Sequence, residues 1–148
     1  MDRRWKGRFA VACIVALLAL AGCHRAPAES RIREAIQRMA QAAERDDAGA
    51  LVEPLTADFD GNGGELDRQR LGGLLRLLRL RGEHAGVAPG PIDLEPRGSR
   101  WVATVTVTLT GHGSGLLPEE AGVYRVESAW REEGGEWRCY SASWRREL

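Results

Sequence analysis

The spacing of apolar positions changes near the middle of the 148-residue chain. Between residue 30 and residue 80, apolar side chains recur every three or four positions, which predicts amphipathic helices. From Gly86 onwards apolar and polar side chains alternate, which predicts strands with one buried face. The pattern therefore predicts an α+β domain, with N-terminal helices packed on one face of a curved antiparallel sheet.

Three helices are predicted before the sheet. Ser30 is the expected N-cap of the first helix, whose inward positions are Ile32, Ile36, Met39 and Ala43. A short second helix is expected over residues 48–53. The third begins after its N-cap Asp67 and has a predicted buried stripe of Leu71, Leu74, Leu75 and Leu78. Gly72 and Gly73 inside it cost about 1 kcal/mol each relative to alanine, and close approach of another backbone would explain them.

Four strands are predicted, over residues 91–96, 100–110, 123–132 and 136–145. The last two form a hairpin. We expect a three-residue loop, residues 133–135, because it collects most aromatic side chains of the hairpin on one face: Tyr124, Val126 and Trp130 with Tyr140, Ala142 and Trp144. A two-residue loop would divide them between both faces, since a one-residue slip turns every side chain over. The opposite face is polar, with Arg125, Glu127, Ser141 and Ser143.

A glycine-rich segment between the second and third helices matches the first half of an EF-hand loop. Asp58, Asp60 and Asn62 supply oxygen atoms at the first three ligand positions, and Gly63 occupies the turn position. The second half fails, because Gln69 stands where a bidentate glutamate is required. We therefore expect a plain Asx and glycine turn and no strong metal site. Weak calcium binding by the three oxygen donors stays open.

The N-terminus has the three parts of an export signal. A cationic start precedes the apolar run of residues 9–20, which is too short to span a membrane, since a spanning helix needs about 20 residues. The run ends in Leu20-Ala21-Gly22-Cys23, which resembles the lipobox of bacterial lipoproteins. The resemblance implies cleavage between Gly22 and Cys23, a diacylglycerol thioether on Cys23, and acylation of its amino group by a fatty acid such as palmitate. The alternative is an ordinary secretory signal that leaves Cys23 as a free thiol.

The resemblance also implies a location. His24 follows the lipidated cysteine, in the place of the aspartate that retains lipoproteins at the inner membrane of enteric bacteria. The expected location is the periplasmic face of the outer membrane, with the inner membrane as the alternative. Residues 23–29 form a tether of about 25 Å when extended, so the domain, residues 30–148, would stay close to the membrane.

Charge and cysteine content narrow the choice of partners. The whole chain has 21 basic and 21 acidic residues. Residues 1–22 contain four of the basic residues and one of the acidic ones, so residues 23–148 have a net charge of −3. Nucleic acid is therefore not an expected partner. Five arginines on the third helix favour a solvated face, with anionic lipid headgroups as the alternative: Arg68, Arg70, Arg76, Arg79 and Arg81. Cys139 is the one thiol expected in the folded domain, because Cys13 leaves with the signal and Cys23 takes the lipid. Its place in an alternating strand pattern predicts a buried structural thiol, with a reactive thiol as the alternative.

The order of elements resembles the NTF2-like superfamily, also described as SnoaL-like or cystatin-cone proteins. The residues that carry the resemblance are Leu55-Thr56-Ala57-Asp58-Phe59 and the tryptophan-rich closing strands, residues 124–130 and 137–144. The resemblance covers the chain from Ser30 to the C-terminus and implies a pocket between helices and sheet. The hairpin that many members have before the third helix is expected to be replaced here by a turn over residues 58–65. Members include isomerases, dehydratases, cyclases and non-catalytic modules, so the fold does not select a function.

Candidate catalytic side chains are few. His24, His84 and His112 have no second histidine or cysteine at metal-ligand spacing, so zinc is not expected. Asp93 and Glu127 lie on strands but point away from the apolar positions. No catalytic residue, metal or cofactor is therefore predicted.

Two functions are consistent with these residues. The first is a non-catalytic binding or interaction module, with a homodimer, a small hydrophobic ligand or an envelope protein as the expected partner. The alternative is a small pocket enzyme of the isomerase, dehydratase or hydrolase type. A buried carboxylate or histidine inside the cone would favour the enzyme.

The lipobox generates a prediction that does not depend on the fold. The Cys23→Ser variant should be released from membranes, because the thioether that carries the lipid cannot form. Membrane fractionation and metabolic lipid labelling measure this, with Cys13→Ala, a thiol removed within the apolar run, as the control. Unchanged membrane attachment and lipid labelling of Cys23→Ser would contradict the assignment.

Overall fold

A computed structural model of the chain describes residues 27–112 and 121–148. The predicted signal, Cys23 and His24 lie outside the described residues. The helices are α1 (Ala28–Glu44), α2 (Ala48–Val52) and α3 (Arg68–Leu80). The strands are β1 (Leu55–Gly61), β2 (Leu66–Asp67), β3 (His84–Arg97), β4 (Arg100–His112), β5 (Gly122–Glu133) and β6 (Glu136–Arg146).

The strands form one six-stranded sheet in the order β2-β1-β6-β5-β4-β3. All neighbours are antiparallel except β1 and β6, which run parallel. Side chains of α1, such as Ile32 and Ala35, share a core with the inward face of the sheet, so the predicted α+β arrangement of helices on a curved sheet is confirmed.

The segment after α2 is a short hairpin, so the expected replacement by a turn is wrong. β1 pairs with β2 through Asp60 opposite Asp67 and Gly61 opposite Leu66. Leu55 and Phe59 are buried in the core, which draws this segment into the sheet. A side chain at Gly61 would come within 2.8 Å of both the Leu66 carbonyl oxygen and the Trp144 ring, so the close crossing requires glycine.

Of the two helix caps that the sequence predicts, Asp67 is confirmed and Ser30 is wrong. Asp67 caps α3 by accepting a hydrogen bond from the Arg70 N–H at 2.7 Å, as predicted. Helix α1 starts at Ala28, two residues before the expected cap, because Pro27 occupies the N-cap position. The Ser30 hydroxyl donates to the Pro27 carbonyl instead of capping the helix. The first helix therefore begins five residues after Cys23 in the sequence.

The buried face of α3 is narrower than its leucine content suggests. Leu75 and Leu78 are buried, but Leu74 is 42% exposed, so its place in the predicted stripe is wrong. Gly72 completes the buried face, and a side chain added there would touch the Val52 side chain at 3.4 Å. A neighbouring side chain, rather than the expected backbone, therefore packs against this glycine. Gly73 faces open space.

The hairpin of β5 and β6 has a two-residue turn, and the predicted three-residue loop is wrong. Glu133 lies opposite Glu136, and both Gly134 and Gly135 have positive φ, 59° and 80°. Such a turn has the twist that antiparallel strands require. A one-residue bulge in β6 keeps the apolar side chains of the two strands on the same face of the sheet.

The bulge changes the predicted faces. Trp130 pairs with Cys139 and Ala129 with Ser141, so one residue of β6, Tyr140, has no partner. Beyond the bulge, Ala142 and Trp144 lie on the inner face, as predicted. The prediction that Tyr140 also lies on the inner face is wrong. Tyr140 lies on the outer face, between the guanidinium groups of Arg100 and Arg131, 5.0 Å and 5.3 Å from its ring centre.

Strand β3 starts at His84, seven residues before the expected boundary. Its first half contains Gly86, Pro89, Gly90 and Pro91, which argue against a strand. Two features of β3 accommodate the glycines and prolines. The strand lies at the edge of the sheet, and its pairing with β4 is interrupted by a register shift between Pro89 and Ile92. An edge strand leaves one row of N–H groups unpaired, so proline costs little there.

The core is continuous from α1 to the sheet. Trp130 is 1% exposed and lies with Ile32, Leu55 and Ala103, each similarly buried. Each fully buried large apolar side chain contributes roughly 1.5–3 kcal/mol to folding. Arg33 holds the start of α1 to the sheet by donating to the Ile92 carbonyl at 2.8 Å. The described part of the chain thus contains its own core.

Gly73 generates a stability prediction. The Gly73→Ala variant should increase the free energy of unfolding by about 1 kcal/mol, because alanine loses less entropy in a helix and its methyl group meets no neighbour. Urea denaturation measures the change. Gly134→Ala is the contrasting variant and should destabilise, since its φ of 59° disfavours a side chain. A Gly73→Ala variant no more stable than the parent would refute the assignment of Gly73 to an open helix surface.

Candidate functional site

The cone between α1 and the sheet contains a cavity of about 220 Å³ that is partly open to solvent. Its walls come from α1, β1 and the inner face of the sheet, for example Ile36, Met39, Phe59, Val107 and Trp144. An apolar cavity of about 150 Å³ is already large enough to bind benzene. The space is therefore sufficient for a small hydrophobic molecule.

Ser128 contributes the one hydroxyl group in the described lining. Its Oγ accepts a hydrogen bond from the indole Nε1 of Trp130 at 2.9 Å and donates to the Ala103 carbonyl at 3.4 Å. Because both contacts are internal, the hydroxyl is already satisfied without a ligand. A molecule in the cavity would meet hydrocarbon surface almost everywhere, and a buried polar group on it would be penalised.

Cys139 is also part of the cavity wall, and it is the buried structural thiol that the sequence predicts. The side chain is 3% exposed, and its Sγ donates to the Ser141 carbonyl at 3.3 Å. Burial raises the pKa of the Cys139 thiol to about 12. Since the thiolate is the reactive form, this cysteine is not an activated nucleophile.

The described lining contains no carboxylate and no imidazole. Asp93 and Glu127 are both exposed; they pair with Thr104 from either side on the outer face of the sheet, away from the cavity, as the sequence predicts. The side chains described here therefore offer the cavity no general acid or base.

The histidines lie apart from the cavity or outside the described residues. His84 is exposed at the start of β3, and its Nδ1 is 2.8 Å from the Asp46 carboxylate at the turn after α1. His112 ends β4, two residues beyond the strand boundary predicted from the sequence, and is the backbone partner of His84. Its side chain lies outside the described part. The sequence did not indicate this pairing, because nothing in the local pattern extends the two strands so far.

The three oxygen donors of the half EF-hand do not converge. Asp58 forms an ion pair with Arg131 at 2.8 Å, while Asp60 accepts from the Gly64 N–H within the turn. Asn62 accepts from the Trp144 N–H at 2.9 Å and donates to Glu65. Each group serves the hairpin or the sheet. Across residues 27–112 and 121–148, no group of three histidine, cysteine or acidic side chains is placed to hold a metal ion.

Comparison with solved structures identifies the fold. No protein-family model matches the sequence, and no curated protein matches it significantly. An NTF2-like protein from Cytophaga hutchinsonii superposes with a TM-score of 0.66 and 16% identity, covering 82% of this chain and 99% of that one. ActVI-ORFA from Streptomyces coelicolor has a TM-score of 0.64 and 12% identity, with coverages of 80% and 96%.

A third neighbour carries the name of an enzyme. It is a type 2 hexachlorocyclohexane dehydrochlorinase (LinA), with a TM-score of 0.67 and 10% identity over 81% of this chain and 85% of that one. These identities establish the fold alone. The domain has the NTF2-like (SnoaL-like) fold, as its sequence indicates, and this fold holds both enzymes and proteins of unknown function.

The buried thiol generates a prediction about reactivity. In a protein of residues 24–148, where Cys139 is the one cysteine, a disulfide reagent at pH 8 should react at least about 100-fold more slowly with the folded than with the unfolded chain. A folded protein that reacts as fast as the urea-unfolded one would contradict the burial.

The same group makes stability depend on pH. The unfolded thiol ionises near pH 9, whereas the folded thiol stays protonated up to about pH 12. The contribution of the Cys139 thiol to the free energy of unfolding is fully present below pH 9. It is lost as the pH rises from 9 towards 12, because in this range only the unfolded chain releases the proton. A Cys139→Ala variant should lack this part of the alkaline decline.

Proposed function

We propose that this chain is an exported lipoprotein whose NTF2-like domain binds a small hydrophobic ligand in the cone and catalyses no reaction. The observation that carries the proposal is the cavity lining. It is apolar apart from one hydroxyl group, and that group is already engaged by Trp130 and Ala103. Such a wall favours a ligand by burying apolar surface and gives it no group with which to react.

The chemical class of the ligand follows from the same lining. A charged or strongly polar molecule would lose its hydration without compensation in the cavity. A short aliphatic or aromatic hydrocarbon, or the apolar part of a larger molecule, has no polar groups whose hydration would be lost on binding. Any polar group of the ligand would therefore lie at the open side, in contact with water.

Membrane attachment is the second part of the proposal. The lipobox supports lipidation of Cys23, and His24 after it favours the periplasmic face of the outer membrane. None of the described helices is long and apolar enough to cross a bilayer. Because α1 begins at Ala28, about 17 Å of extended chain at most would separate the lipidated residue from the domain.

The outer face of the sheet is a second surface at which the domain could bind another protein. It is polar and includes Glu127, Ser143 and the stacked Tyr140. A homodimer or an envelope protein could use it. Analytical ultracentrifugation separates these cases, since a homodimer needs no other component.

A pocket enzyme is the second candidate function, favoured by the enzyme names of some neighbours of the same fold. Its acid or base would have to come from outside the described lining. This requirement distinguishes it sharply from a binding protein, whose cavity is complete without such a group.

The proposal predicts binding of a neutral naphthalene fluorophore, N-phenyl-1-naphthylamine, to residues 24–148. Val107→Phe, which places a ring inside the cavity, should weaken binding at least about tenfold by removing the space. Thr106→Phe is the matched control, because the adjacent residue of β4 points to the outer face. Fluorescence titration measures both affinities.

Two results would count against the proposal. One is an absence of fluorophore binding by the folded parent protein. The other is equal affinity for the parent and Val107→Phe, which would place the fluorophore elsewhere. Native mass spectrometry of residues 24–148, purified gently from the periplasm, adds a direct test: a retained mass of a few hundred daltons would show a bound small molecule and give its mass.

A further inference from the structure

Helix α3 presents an apolar stripe to solvent on the side away from its buried face. Leu74, Leu77 and Leu80 are 42%, 40% and 85% exposed, and they are three of the four large apolar side chains most exposed in the described chain. Their spacing of three residues places them on one face of the helix. This face was not expected from the sequence, which placed Leu74 in the core.

The stripe is flanked by unneutralised positive charge. Residues 68–82 contain five arginines and no acidic residue. Arg76, Arg79 and Arg81 are exposed, and their guanidinium groups form no ion pair or hydrogen bond with any described residue.

The acidic groups in the groove beside Arg76 and Arg79 form no ion pair with them. Asp46 and Asp47 line the same groove as Arg76 and Arg79. Asp46 is engaged by His84 at 2.8 Å, and Asp47 accepts the cap hydrogen bond from the Ala50 N–H. Because residues 68–82 contain five arginines and no acidic residue, the leucine stripe and its arginines form a cationic, apolar surface, which we call the α3 face.

We propose that the α3 face is a docking surface for an anionic lipid membrane. Exposed leucines beside arginines are the composition of helices that lie in the membrane interface, with apolar side chains among the acyl chains and cations at the headgroups. Each arginine near an anionic surface adds to the electrostatic attraction between the helix and the membrane. A purely solvated face, which the arginines alone would favour, does not account for the three leucines between them.

This contact is distinct from the lipid anchor and does not depend on it. It belongs to the folded domain and uses none of the residues before Pro27. It is also separate from the cone, because Leu74, Leu77 and Leu80 do not line the cavity. A protein of residues 24–148, which lacks Cys23 and contains all the described elements, therefore tests it without interference from lipidation.

The experiment is vesicle co-sedimentation of that protein. Phosphatidylcholine vesicles are compared with vesicles in which about a third of the lipid is phosphatidylglycerol, at about 0.05 M and 0.5 M salt. We expect binding to the anionic vesicles at low salt, and at least tenfold weaker binding at high salt or to the neutral vesicles.

Two triple variants divide the surface into its parts. The combined change Leu74→Gln, Leu77→Gln and Leu80→Gln removes the apolar stripe, and Arg76→Gln, Arg79→Gln and Arg81→Gln removes the charge. Each should weaken binding at least tenfold. The matched control, Arg125→Gln, Arg145→Gln and Arg146→Gln, makes the same change in net charge on or beside the sheet and should change affinity less than about threefold. Circular dichroism checks that each variant is folded.

Several results would overturn the inference. These are failure of the folded parent to bind anionic vesicles, unchanged binding by the leucine variant, or equal losses in the two arginine variants. Sedimentation velocity adds the remaining case. If the parent is a dimer without lipid and the leucine variant is a monomer, the α3 face is an interface between protein chains, and the membrane assignment is wrong.

Discussion

The hydrogen bond between the Trp130 indole and the Ser128 hydroxyl, 2.9 Å long, is the interaction on which the inner face of the domain depends. A tryptophan that is 1% exposed must find an acceptor for its N–H, because an unpaired buried donor costs about 1–3 kcal/mol. Here the acceptor is two residues earlier on the same strand and therefore on the same face. No other element has to supply a polar group, so the cavity wall next to this ring can be apolar.

The bulge in β6 completes that wall. Without it, the short turn at Gly134 and Gly135 would place Trp144 and Cys139 on opposite faces of the sheet, since the two residues are an odd number apart. The extra residue at Tyr140 restores both to the inside, where Cys139 packs beside Trp130 and Trp144 lines the cavity. Tyr140 is left outside and is held between Arg100 and Arg131. Turn and bulge thus work together, and neither alone would keep the apolar side chains of β6 together.

The sequence was informative where a side-chain pattern repeats over a whole element. The helical spacing of Ile32, Ile36 and Met39 and the alternation in β4 indicated the correct layers, and Asp67 was recognisable as a cap because its role is local. The sequence was uninformative in the last hairpin, where the two-residue glycine turn and the requirement for one apolar face imply different registers. A single register argument cannot include a compensating bulge, so Tyr140 was assigned to the wrong face.

Other errors arose from tertiary contacts. Leu74 has the helical spacing of a core residue, but the buried face of α3 consists of Gly72, Leu75 and Leu78 and does not include it. That face packs on α2 and the first two strands, and Leu75 also reaches Ala42 of α1. The prolines of β3 are tolerated because that strand lies at the edge of the sheet, a position that no short window of sequence reveals. The apolar character of the candidate site was foreseeable from the strands, whereas the space at its centre was not. Space depends on how far apart α1 and the sheet are held.

That space is itself an argument for occupancy. A closed, empty apolar cavity costs roughly 24 cal/mol per Å³, so about 5 kcal/mol is the upper bound for 220 Å³, and the open side of this cavity lowers the cost. Domains of this size are stable by only about 5–15 kcal/mol. Reducing this space would require no new fold, since a larger side chain at Val107 or Ala142 would occupy part of it. A chain that keeps the cavity gives up stability that larger side chains would in part recover, and a hydrophobic ligand that fits the same walls would also stabilise the folded state.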